Sequence, residues 1–200
     1  MLLVVTIARN FKEIYASNFN FFASGLAVWD ELRGGDAAYE RSLKILQKGL
    51  GKEYKGLAKP YHGVASAQST LGRYDDAIAN FGSAIRCYEL GGEKMQKDLM
   101  SCYAGIGDTL YKTGDFEGAY VKHAVAFRIC EEVFGADSVN LLRAKYYALM
   151  AGDLAGLGNK KEALQNCEKA LKIANKILEK SSDKHAKSLK AEVEAKIKEL

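Results

Sequence analysis

Apolar positions along this chain recur at helical rather than strand spacing. The C-terminal stretch shows it most plainly: Leu189, Val193, Ile197 and Leu200 fall on one stripe, with mostly charged side chains between them. That pattern predicts a helix with one buried face, and Ser181-Ser182-Asp183 supplies an N-cap ahead of it. Blocks of Val, Ile and Thr suited to strands occur only at residues 2–7. The single proline, Pro60, stands against nineteen glycines. Proline breaks helix interiors, so its near absence leaves room for many long helices.

The same pattern repeats. Tyr61, Tyr103 and Tyr147 are separated by 42 and 44 residues, and so are Gly72, Gly114 and Gly158. The same offsets relate Ala77, Ala119 and Ala163, and also Ala84, Ala126 and Ala170. Each marker has a physical task. The glycine ends a first helix where a positive φ is needed. The alanine five residues later faces that helix at close approach, and the next alanine lies two turns along on the same face. The tyrosine fills the gap between the helices. Such a helix–turn–helix unit leaves one face for the next unit to cover.

These markers resemble the tetratricopeptide repeat, with its Leu-Gly, Gly-x-aromatic and Ala-x3-aromatic-x2-Ala signals. Ala65 and Ala151 replace a small glycine, Lys160 replaces one aromatic residue, and His123 and Cys167 replace another. The period exceeds the usual 34 residues. The run Ile129-Cys-Glu-Glu-Val-Phe-Gly135-Ala-Asp137 is similar to the long repeat of kinesin light chains, and Ser42–Gly51 looks like the same exit. The resemblance implies an all-α fold, a right-handed α-α superhelix with terminal capping helices. A further step of 42 back from the first register meets Phe19, Ala23, Tyr39 and Ser42, but Asp30 and Gly35 at the turn-glycine and first-alanine positions. The expected organisation is therefore a capping helix at 1–17, a degenerate unit at 18–50 with helices near 18–31 and 36–50, repeats at 58–91, 100–135 and 144–180, and a capping helix at 183–200.

Composition narrows function by exclusion. With 48% hydrophobic and 27% charged residues the chain is an ordinary globular one. The net charge of +4 is too small to imply nucleic acid, and it resides in residues 159–200, where eleven lysines face seven carboxylates. The apolar start Met1–Ala8 has no preceding basic residue and is too short to span a bilayer; no membrane span is expected. Cys87, Cys102, Cys130 and Cys167 have neither C-x-x-C nor zinc spacing, so a reducing compartment is expected, the cytoplasm or an organelle matrix. There is no Walker loop, H-E-x-x-H or G-x-S-x-G. No catalytic residue, metal or cofactor is expected. His123 and Cys167 occupy a packing slot between helices and are read as core residues.

What remains is the concave wall that the first helices of such repeats present to a peptide or helix of another protein. Carried over from the family, its positions are Lys59, His62, Ser66 and Ser69 in the first repeat. The second gives Ser101, Ala104, Asp108, Tyr111 and Lys112, and the third gives Lys145, Ala148 and Gly152. The lysine and asparagine of a chaperone-binding clamp are missing from the matching positions, so a chaperone C-terminal tail is not expected. Three lysines against one aspartate favour an acidic partner. The function expected is a non-enzymatic interaction scaffold or adaptor. The alternatives are a subunit locked into a large assembly and, last, an RNA-binding helical repeat, which would want a basic, aromatic-studded wall.

Overall fold

The structure, a computed structural model, describes residues 43–45, 47–49, 51, 55–92 and 95–200. The expected helices at 1–17 and 18–31 lie outside the described residues, as does most of the expected 36–50 helix, of which 43–45 and 47–49 are helical. Among the described residues every regular element is a helix. The chain divides into two compact units, residues 1–95 and 96–200.

In the first unit a short 3-10 turn, Lys55–Leu57, leads into α1 (Ala58–Thr70), which pairs with α2 (Tyr74–Glu89). Pro60 sits in the first turn of α1, where its missing N–H interrupts no helical hydrogen bond. The helix ends at Gly72, whose φ of +79° lets the Arg73 N–H bond back to the Gln68 carbonyl at 2.9 Å. Asp75 and Asp76 then open α2 where negative charge suits the helix dipole. Tyr61, Val64 and Ala65 of α1 and Ala77, Phe81 and Ala84 of α2 are buried. Gln47 donates to the Tyr61 hydroxyl at 2.9 Å.

The second unit runs α3 (Gln96–Thr113), α4 (Phe116–Phe134), α5 (Leu141–Gly156), α6 (Lys160–Leu178) and α7 (Lys184–Glu199), each helix packed on the next. Gly114 and Gly158 end α3 and α5 at φ of +83° and +79°, with Asp115 N–H and Asn159 N–H bonding back to Leu110 and Leu154 carbonyls. The starts of α4, α5 and α7 are capped by side chains: Asp115 accepts from Gly118 N–H, Asn140 from Arg143 N–H, and Asp183 from His185 and Ala186 N–H. Ala119 and Ala163, like Ala77 in the first unit, are fully buried, as the close helix approach requires. Met100, Ala126, Ile129, Cys130 and Tyr146 form one core cluster. Ala144, Ala148, Ala151, Cys167, Ala170, Ile173, Leu189 and Val193 form another, so the apolar stripe of α7 covers α5 and α6.

Candidate functional site

In the first unit Lys59 and Ser66 are exposed on α1, and His62 is half-buried with its ring edge on Phe81, 5.4 Å between centroids. Ser66 donates to the His62 carbonyl. Ser69 is buried, which corrects its assignment to an open wall: it lies on the face of α1 that also buries Val64, Ala65 and Gln68.

In the second unit Ser101, Tyr111, Lys112 and Lys145 are exposed, and Ala104 and Asp108 are half-exposed. Tyr111 packs edge-on against Phe116 at 5.3 Å. Ala148 and Gly152 are not open positions. Ala148 is 3% exposed within the cluster that α7 completes, and the Lys196 ammonium of α7 donates to the Ala148 carbonyl at 3.3 Å. A Cβ added at Gly152 would come within 2.9 Å of the same ammonium and 3.6 Å of the Tyr111 ring. The small residues of α5 thus admit a close neighbour, as their size suggested, but that neighbour is the chain's own C-terminal helix.

Three helices converge on His123. Its Nδ1 lies 2.7 Å from an Asp153 carboxylate oxygen on α5, and its Nε2 lies 3.3 Å from Asp108 on α3. His123 is 1% exposed, Asp153 0% and the Asp108 side chain 47%. Burial alone would lower the imidazole pKa, but the hydrogen bonds and charges of Asp108 and Asp153 outweigh it and hold the value at about 9. The ring is therefore an imidazolium at neutral pH. It rests on Gly107, where a Cβ would meet it at 2.5 Å. The second oxygen of Asp153 is buried without a hydrogen-bond partner. His123 does sit in the packing slot, as its register position implied, but it is charged there. Sequence reasoning missed Asp153. Its only signal was a carboxylate in an otherwise apolar run, Ala148–Ala155.

Tyr147 marks a second polar contact between helices. Its ring packs on Phe127 at 4.7 Å, with Arg143 and Lys169 at 5.7 and 5.4 Å from its centroid. Arg143 also pairs with Glu131 at 3.4 Å. All four cysteines are buried. Burial pushes the Cys102 thiol up to about 12 and raises Cys130 and Cys167, which keeps these sulfurs protonated and unreactive. Among the described residues no group of His, Cys, Asp or Glu is arranged to hold a metal, and no helix is long and apolar enough to cross a membrane.

The helix pairs α3–α4 and α5–α6 coincide with two matches to the tetratricopeptide repeat family, over residues 99–140 and 143–186. These two segments are tetratricopeptide repeats. Solved structures agree on the fold. BtubC (BKLC) from P. vanneervenii superposes with a TM-score of 0.70 at 17% identity, over 83% of this chain and 64% of that one. The chain thus spans under two thirds of that protein's length. A TPR-like protein from Chlorobium tepidum TLS superposes with a TM-score of 0.54 at 20% identity, over 71% of this chain and 92% of that one. The MamA RS-1 ArsTM double mutant does so with a TM-score of 0.54 at 16% identity, over 92% and 96%. No curated protein matches the sequence. The tetratricopeptide repeats of this chain therefore belong to an α-α superhelical class of folds, whose members serve in general as protein-interaction scaffolds.

Proposed function

We propose that this protein is a non-enzymatic scaffold that binds an acidic segment of another protein on the exposed wall of its first helices. The observation that carries the reading is the charge of that wall in the second unit. Lys112 and Lys145 are exposed, while the one carboxylate among the wall positions, Asp108, is turned to the His123 imidazolium. The buried Asp153 carboxylate shares that imidazolium, so the cluster keeps one net negative charge, and the two exposed lysines against it leave the wall of this unit positive. Tyr111, 43% exposed, offers an aromatic contact beside it. The wall positions retained for this role in the second unit are Ser101, Ala104, Asp108, Tyr111, Lys112 and Lys145. In this reading α7 is the cap of the array, its apolar stripe inward, with Lys196 directed to the Ala148 carbonyl.

The test uses the full chain and two labelled peptides of equal length, one Asp/Glu-rich with aromatic residues and one with Lys in place of each acid. The acidic peptide binds, its affinity falls with added salt, and the variant carrying Lys112→Glu and Lys145→Glu loses it. Equal binding of both peptides, or an affinity untouched by the double reversal, would place the partner elsewhere on the molecule.

A further inference from the structure

We propose that Asp108, His123 and Asp153 form a charged lock that fixes the register of one tetratricopeptide repeat on the next, and that the lock holds only while the imidazole is protonated. The three residues come from α3, α4 and α5, so the cluster joins both helices of one repeat to the first helix of the following one. Two observations separate it from ordinary packing. The His123–Asp153 pair is almost wholly removed from water, and one oxygen of Asp153 has no partner at all. A buried pair with an unsatisfied oxygen is a poor way to gain stability, since an apolar pair of similar volume would do at least as well. Its effect is on alternatives. If α5 slid or rotated by a turn against α4, an imidazolium and a carboxylate would be left buried apart, a far larger penalty than the misfit of two apolar side chains. Gly107 completes the device, because its missing side chain gives the ring a seat on α3.

The groups bearing on the ring are few. From α3 it faces Asp108, and from α5 Asp153; these two are the charges that act on it. Tyr146 of α5 and Cys130 of α4 lie in the neighbouring core, and burial raises both, so they stay neutral across the range concerned. Lys196 of α7 is directed to the Ala148 carbonyl. The imidazole of an unfolded chain loses its proton near 6.5, whereas in the folded protein it does so at about 9. The lock therefore contributes fully below about 6.5, fades as the pH climbs, and is gone once it has passed about 9.

The experiment compares the full chain with His123→Phe, Asp153→Leu and the two combined, by thermal unfolding and amide hydrogen exchange. Each single change leaves one buried charge or an emptied partner site and lowers the melting point by roughly 10 °C or more. The combined variant regains most of that loss, yet its α5 amides exchange faster than those of the wild type at matched stability, because the register is no longer specified. The wild-type melting point falls between pH 6.5 and 9.5 and that of the combined variant does not. The pH series on the wild type needs no variant to fold. A wild-type melting point flat over that range, single variants as stable as the wild type, or a combined variant whose α5 exchanges like the wild type would each overturn the lock.

Discussion

The α1–α2 hairpin and the α3–α4 hairpin use the same slot in opposite ways. Four residues past the close-approach alanine, α2 places Phe81 and α4 places His123. Both rings are buried. Phe81 has the His62 ring edge against it, and α1 carries the buried Ala65 at the register position where α3 carries Gly107. His123 is flanked instead by two carboxylates, and its seat had to shrink to glycine to admit the pinned ring. A phenylalanine in this slot can shift by tenths of an ångström at little cost. An imidazolium bonded at 2.7 Å to a carboxylate on the next repeat cannot. One hairpin is held by volume and the other by geometry, although their backbones follow one pattern.

The sharpest way to break this contrast is Asp153→Ala. It leaves the imidazolium buried with only the half-exposed Asp108 to answer it, and should cost about 3–5 kcal/mol in denaturant unfolding. A cost below about 1 kcal/mol would mean that the slot in α4 is held by volume after all.

The seats of the two rings give a paired test. Gly107→Ala places a methyl 2.5 Å from a ring that the Asp153 bond keeps from yielding, for a loss of roughly 1–3 kcal/mol. The mirror change in the other hairpin, Ala65→Gly, removes a methyl from a helix interior and should cost only about 1 kcal/mol. Equal losses would erase the distinction. Ala119→Leu, at the close approach shared by every hairpin, should cost roughly 1–3 kcal/mol by overpacking, whichever way the slot is filled.

Most of this contrast was open to sequence reasoning up to a definite point. Helices, turn glycines and buried alanines were legible because each is dictated by local geometry: Gly72, Gly114 and Gly158 all adopt positive φ, and Ala77, Ala119 and Ala163 all vanish from solvent. The packing slot of His123 was legible for the same reason. Its charge was not, because that depends on Asp153, thirty residues away on the next repeat, and periodicity does not report which side chain reaches across an interface. The wall was only partly legible. Ala148 and Gly152 fit the family's open positions, but α7 lies over them. The stripe Leu189, Val193 and Ile197 announced a buried face without saying what it would bury.

The measurement that bears most directly on the contrast is the titration of the His123 ring by NMR, followed through its carbon and nitrogen shifts in the intact protein. The account predicts an imidazolium throughout the neutral range that loses its proton near 9. A midpoint at or below the ordinary value near 6.5 would show that burial outweighs the two carboxylates, and that the α4 slot, like that of α2, holds an uncharged ring.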